Sequence, residues 1–159
     1  ESLTAANQRA REMSRGLMPL IINSIGLVSA LGELAQSMQR LFRISCRFDC
    51  GRDVTVPDEQ AATQIYRIAQ EALANAAKHS EASKLWLSLK DTDDGVLELR
   101  IEDNGKGIPD HKPGVGTGMG LLTMKRRARM MGGDLTVTSG ALSGTVVQCS
   151  IPIRPPIQS

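Results

Sequence analysis

The sequence predicts an α+β fold in which helices pack on one face of a mixed β-sheet. In four segments, apolar residues recur every three or four positions, as they do on one face of an amphipathic helix. Between these segments, apolar and polar residues alternate in short runs that are typical of half-buried strands. Because helices and hairpins must share one core, two packed layers are the simplest arrangement.

The N-terminal quarter is predicted to be helical, with an interruption near Pro19. Proline cannot donate a backbone hydrogen bond and collides with the preceding turn, so a first helix should end or kink over residues 16–19. A second helix is expected to begin near Ser24. Its apolar face is predicted to be Leu27, Leu31, Leu34, Met38 and Leu41.

Alternation and turn residues predict the remaining elements. A short strand is expected over residues 44–48, and hairpins are expected over about 85–101 and 134–153. A helix should begin after Pro57-Asp58 and end near His79. Another should run over about 119–131 and stop at Gly132-Gly133. Residues 104–118 are rich in glycine and proline without periodicity, which predicts a long loop.

Composition excludes several classes of function. With 159 residues, 41% of them hydrophobic, the chain can form one domain with its own core. A net charge of +2 indicates no nucleic-acid footprint, and four aromatic residues leave little for a base-stacking platform. The apolar stretch 17–34 is too polar to cross a bilayer. A first residue other than Met and the lack of a signal-peptide pattern suggest a fragment.

The three cysteines are predicted to be free thiols. Their odd number and the lack of a CxxC pair argue against a disulfide framework or a zinc site. Buried thiols in a reducing compartment are the simpler interpretation. The residues are Cys46, Cys50 and Cys149.

The helix after Pro57 has two distinct faces. Its apolar face is Ala61, Ile65, Ile68, Ala72 and Ala76. Its polar stripe is Gln64, Arg67, Glu71, Asn75 and Lys78. Such a stripe is most often a solvated surface, and this alternative stays open. However, Asn75 is a poor helix former, and the ending Lys78-His79 offers donors for phosphate oxygens. Glu71 and Asn75 also carry oxygen ligands of the kind that Mg²⁺ accepts.

Two glycine-containing segments are further candidates. A strand runs into Asp103, and Gly105 and Gly107 follow. A carboxylate there, beside backbone without side chains, can hold a flat donor such as an adenine amino group, although an ordinary Asn-Gly turn is the alternative. Alternating glycines over residues 114–120 open the last helix, whose N–H groups and dipole suit phosphate. Neither a dinucleotide fingerprint nor a Walker A loop is present.

The last helix is expected to bury one face and to expose a basic one. The buried face is predicted to be Leu121, Met124, Ala128 and Met131. The exposed face is predicted to be Lys125, Arg126, Arg127 and Arg129.

Taken together, these segments resemble the catalytic domain of bacterial sensor histidine kinases. Its motifs appear here in the family's order as QEALANAAKHS (70–80), EDNGKGIP (102–109), GTGMGLLTMKRRARMMGG (116–133) and SGTVVQCSIP (143–152). The wider group also holds DNA gyrase, the Hsp90 chaperones and the MutL repair proteins. The Lys78-His79 ending and the stretch GLMPL…GLVSALGEL resemble the subfamily of the nitrate sensors and DesK.

The resemblance implies a two-layer α/β sandwich, often called the Bergerat fold, that binds ATP with Mg²⁺. Asn75 would coordinate the metal with support from Glu71, and Lys78 and His79 would approach the phosphates. Asp103 would accept from the adenine amino group. The remaining pocket residues implied are Gly105, Gly107, Ile108, Gly116, Gly118, Met119, Gly120, Leu121 and Thr145, with residues 108–118 as a lid.

The resemblance also implies that a phosphoacceptor is missing. In the family it is a histidine on an upstream helix, whereas this chain has only His79 and His111, both in the catalytic part. Residues 1–20 would be the tail of the dimerisation domain and residues 21–159 the catalytic domain. The fragment is therefore expected not to autophosphorylate by itself. The implied partners are the absent acceptor helix and a response regulator, in a homodimeric parent whose catalytic part is cytoplasmic.

Two other functions stay open at this stage. An ATP-driven conformational switch would use the same fold without histidine phosphorylation, although the Lys78-His79 ending counts against it. A domain that binds no nucleotide would use its glycines only as turns. Binding of a fluorescent ATP analogue would separate this third function from the other two.

Overall fold

The computed structural model describes residues 24–107, 119–141 and 143–153. The helices are α1 (Ser24–Phe42), α2 (Glu59–His79) and α3 (Met119–Met130). The strands are β1 (Ser45–Cys50), β2 (Lys84–Asp91), β3 (Val96–Asp103), β4 (Asp134–Ser139) and β5 (Thr145–Pro152). The predicted α+β fold is confirmed. The helix predicted for residues 1–20 lies outside the described residues.

The five strands form a single mixed sheet in the order β1-β2-β3-β5-β4. β1 and β2 are parallel because α2 connects them, and a parallel pair requires such a crossover. The other neighbouring strands are antiparallel. Helices and sheet share one core, in which residues of all three helices meet the inward-facing residues of the strands.

The strand register follows from which residues must be buried. Leu87 pairs with Ile101, and Leu99 pairs with Cys149 on the next strand. All four side chains are at most 2% exposed. A slip by one residue would turn this row to solvent, so burial fixes the register. By the same alternation, Asp103 at the end of β3 lies on the helix-covered face of the sheet.

Helix α2 begins and ends where its sequence predicts. Asp58 caps it, because its Oδ1 accepts from the Ala61 backbone N–H at 2.7 Å. At the other end, the Ser80 N–H donates to the Ala76 carbonyl. The five residues predicted for the apolar face are all buried.

Helix α1 confirms most of its predicted face. Leu27, Leu31, Leu34 and Met38 are buried, whereas Leu41 is only partly buried; Ala35 is also buried. Among the described residues, no helix is long and apolar enough to span a membrane.

The three cysteines are free, as predicted, and two of them are shielded. Burial raises the pKa of Cys46 to about 11, and burial together with Asp134 raises the pKa of Cys149 to about 12. The pKa of Cys50 is also raised, by burial, Asp49 and Asp91, but this side chain is less buried than the other two.

Thiol labelling should follow this order of shielding. Only the thiolate reacts, and a pKa of about 11 leaves roughly one thiolate in a thousand at pH 8. We expect iodoacetamide at pH 8 to modify Cys50 first and to spare Cys46 and Cys149 until urea unfolds the chain. Mass spectrometry of the peptides measures this. Equal labelling of all three in the folded protein would contradict the described packing.

Candidate functional site

The loop that follows β3 contacts the C-terminal end of α2. The Lys106 N–H donates to the Ser80 carbonyl at 2.8 Å. Gly105 also lies directly against Ser80, and a Cβ at Gly105 would overlap the Ser80 backbone. The loop after Asp103 is therefore fixed to the last turn of α2, next to Lys78 and His79.

Asp103 is a buried carboxylate held by backbone donors. Its side chain is 6% exposed. Oδ1 accepts from the Gly105 N–H at 2.8 Å and from the Thr145 N–H at 3.3 Å. In the described part of the chain, Oδ2 has no hydrogen-bond partner. One oxygen is thus bonded to the backbone on both sides, and the other has no bond to the described residues.

The surroundings of Asp103 are built from backbone. Gly144 lies so close that a Cβ there would overlap the Asp103 carbonyl group. Gly107 has φ +78°, and its Cβ would overlap the Ser143 carbonyl oxygen, so a side chain is excluded on two grounds. The sequence pointed to Gly107 and Thr145 but not to Gly144. The contact that requires a glycine at position 144 is with another strand, so the sequence carried no local signal for it.

Glu71 and Asn75 meet the first turn of α3. A Cβ on Gly120 would overlap Glu71 Oε1 and would lie 3.4 Å from Asn75 Nδ2. The structure thus brings the predicted metal ligands together with the glycine predicted to face phosphate. The polar stripe of α2 is half-buried along its length, because α3 lies beside it.

The donor chemistry of this pair fits Mg²⁺. Glu71 supplies a carboxylate and Asn75 an amide oxygen, and neither side chain is engaged in another hydrogen bond among the described residues. No cluster of three or more His, Cys, Asp or Glu occurs within residues 24–107, 119–141 and 143–153. Mg²⁺ commonly takes one or two protein ligands and completes its shell with phosphates and water.

Of the other predicted site residues, some are described by the structure and some lie outside the described residues. Lys78 is half-buried and His79 exposed in the last turn of α2. Leu121 packs against the core, and its assignment to the pocket stays a prediction. Ile108, Gly116, Gly118 and His111 lie outside the described residues, as does the whole predicted lid, and nothing is described of the Met119 side chain.

The prediction that the basic run of α3 is simply exposed is wrong for Lys125, which is half-buried, and for Arg127. Its Nη1 donates to Gln64 Oε1 on α2 at 2.7 Å, and the side chain is half-buried. Burial lowers the pKa of Arg127, nearby Arg67 lowers it further, and Glu71 acts in the opposite direction. Arg126 and Arg129 are exposed as predicted. Arg127 lies seven residues after Gly120 on α3, and its contact with Gln64 was not indicated by the sequence.

Asn104 has a structural role. Its Oδ1 accepts from the Ser83 N–H at 3.0 Å and from the Lys84 N–H at 2.9 Å, and its Nδ2 donates to Ser83 Oγ. These bonds join the end of β3 to the start of β2. These contacts hold the backbone beside Asp103 in place.

Comparison with known proteins places this chain in a family. Residues 60–155 match the model of the histidine kinase-, DNA gyrase B-, and HSP90-like ATPases. The chain is 31% identical over 154 residues to the sensor histidine kinase MctS of Rhizobium johnstonii, covering 96% of this chain and 33% of that protein. It is 32% identical over 150 residues to the nitrate/nitrite sensor protein NarQ of Escherichia coli, covering 94% and 26%.

A solved structure agrees with these relatives. The histidine kinase domain of the blue-light activated histidine kinase from Erythrobacter litoralis EL346 has a TM-score of 0.65 and 25% identity, covering 94% of this chain and 72% of that one. The chain spans a third or less of the length of MctS and NarQ. The chain belongs to the family of histidine kinase-, DNA gyrase B- and HSP90-like ATPases, as an ATP-binding catalytic domain of the sensor histidine kinase type.

Proposed function

We propose that this domain binds Mg·ATP and transfers the γ-phosphate to a histidine outside the chain described here. The observation that carries the proposal is the meeting of three groups around the C-terminal half of α2. These are the backbone-held carboxylate of Asp103, the oxygen ligands Glu71 and Asn75, and the glycine-led first turn of α3.

Asp103 would bind the adenine ring. Its Oδ2 can accept from the adenine amino group while Oδ1 stays bonded to the backbone. The glycines at residues 105, 107 and 144 let the surrounding backbone pack closely here, since a Cβ at each would overlap neighbouring backbone. Guanine carries a carbonyl oxygen at the corresponding position, which the carboxylate would repel.

Glu71 and Asn75 would hold Mg²⁺ on the phosphates, and Lys78 and His79 would contact phosphate oxygens. When bound, the metal would neutralise charge that develops on the transferred group. Gly120 in the first turn of α3 lies against Glu71 and Asn75, and the free N–H groups of a helix N-terminus favour an anion. The contribution of the protein is then positioning and charge stabilisation.

The acceptor would lie on a separate helix of the parent protein. His79 sits in the last turn of the helix that carries Asn75, so it belongs with the groups that hold the donor. A nucleophile must approach the γ-phosphate in line, opposite the leaving oxygen. We infer an acceptor histidine on a dimerisation helix, a response regulator as the next partner, and a homodimeric parent with this domain in the cytoplasm.

Mixing the chain with a separately prepared acceptor helix tests this function. We expect Mg·ATP to label the acceptor fragment and to leave His79 and His111 of this chain unmodified. Acid-labile phosphate located by mass spectrometry on either histidine of the isolated chain would contradict the inference that the acceptor histidine lies on a separate helix. ATP binding without any labelling of the fragment would favour the conformational switch shared by other members of the family.

A further inference from the structure

Helices α2 and α3 contact each other through polar groups at two separate points. Near the nucleotide site, Gly120 lies against Glu71 and Asn75. Seven residues further along α3, Arg127 donates to Gln64, which is seven residues before Glu71 on α2. The two helices are therefore antiparallel along this side, and the contacts are two helical turns, or about 10 Å, apart.

The bond at the second point connects a half-buried charge to a neutral partner. Arg127 lies near Arg67 and Glu71, but the ion pair within the described residues is elsewhere, between Arg100 and Glu102. The bond from Arg127 to Gln64 is 2.7 Å long and joins residues 63 positions apart. A buried charge with a single side-chain bond contributes little net stability, because desolvation opposes the bond. Its value can instead lie in fixing one relative position of two helices.

We propose that Arg127 is a positioning residue that, through Gln64, holds α3 at the height along α2 where Gly120 contacts Glu71 and Asn75. The inference rests on the proposed function of those three residues. If α3 slid or turned on α2, the first-turn N–H groups would move relative to the metal ligands. A misplacement of about 1 Å at such a site can reduce activity by two orders of magnitude.

Loss of the Arg127–Gln64 bond should affect the two ends of a bound nucleotide differently. Asp103 is held by the N–H groups of Gly105, in the loop after β3, and of Thr145, on β5, without a contribution from α3. Loss of the Arg127–Gln64 bond should therefore disturb the phosphate end and leave the adenine end intact. A merely structural defect would weaken both.

The experiment compares Arg127→Met with Arg126→Met in the whole chain. Both changes remove one positive charge from adjacent positions of α3, but Arg126 is exposed and Arg127 is bonded to α2. We expect Arg127→Met to weaken Mg·ATP binding by about tenfold in calorimetry, whereas Arg126→Met leaves it unchanged. Competition with adenosine should give wild-type affinity for both variants, and the melting temperature should stay near the wild-type value.

A second variant keeps the proposal testable if Arg127→Met fails to fold. Gln64→Leu should produce the same loss of Mg·ATP affinity, and the double variant should be no weaker than either single one. Unchanged Mg·ATP binding in Arg127→Met, an equal loss in Arg126→Met, or an equal loss of adenosine binding would each overturn it. Failure of the wild-type chain to bind Mg·ATP would instead contradict the proposed function itself.

Discussion

Replacing Asn75 by alanine should reduce phosphoryl transfer to an acceptor fragment by about 10²–10³-fold. Removing one preorganised group that stabilises transition-state charge commonly has an effect of this size. The fold should persist, because Asn75 lies on the half-buried polar stripe and outside the apolar core of α2. The measurement is a transfer assay with labelled ATP, together with circular dichroism of the variant.

Gln60→Ala is a matched control for this change. Gln60 lies in the first turn of the same helix and is exposed, so its truncation should leave transfer at the wild-type rate. If Asn75→Ala retained transfer, Asn75 would not be a metal ligand, and the polar stripe of α2 would be an ordinary solvated surface. A loss that appears equally in both variants would indicate a general effect on α2.

Replacing Asp103 by asparagine should weaken ATP binding by about 1.5–3 kcal/mol, or roughly 10–100-fold, because a hydrogen bond to a charged group is lost. Asparagine has the same shape, and its oxygen can still accept from Gly105 and Thr145. Its NH₂ group would then face the adenine amino group, so two donors would meet. Calorimetry with Mg·ATP measures the change.

The control for this substitution is Asp93→Asn, in the exposed turn between β2 and β3. It removes the same charge far from the site, so its affinity for ATP should match the wild type. If the Asp103→Asn variant unfolds, Asp103→Glu tests the role of Oδ2 instead. This variant keeps the negative charge but displaces it, and it should also bind ATP more weakly. Normal binding by either Asp103 variant would contradict the role assigned to this carboxylate.

Local sequence patterns predicted the fold well because the pattern of buried residues and the local helix and turn signals favour the same elements. The apolar face of α2, its cap at Asp58 and its end near His79 can all be read from residues within one helix. The strands were predictable because their alternation reports which face is buried. Periodicity gives the direction of a side chain but not its depth, so it could not predict that Leu41 is only partly buried.

The candidate site was predictable only where short motifs describe it. Asp103 and its following glycines form one segment, and so do Glu71 and Asn75. The contact between Gln64 and Arg127 joins segments 63 positions apart, so no local pattern contains it. Likewise, the need for Gly144 arises only when β5 lies beside β3 and brings its backbone against Asp103.

A calorimetric titration of the wild-type chain with Mg·ATP and then with Mg·GTP tests the proposed function most directly. Asp103 Oδ2 can accept from the amino group of adenine, but it faces a carbonyl oxygen on guanine. We therefore expect measurable binding of ATP and at least about tenfold weaker binding of GTP. Equal affinity for the two nucleotides, or no binding of ATP, would contradict the assignment of this site.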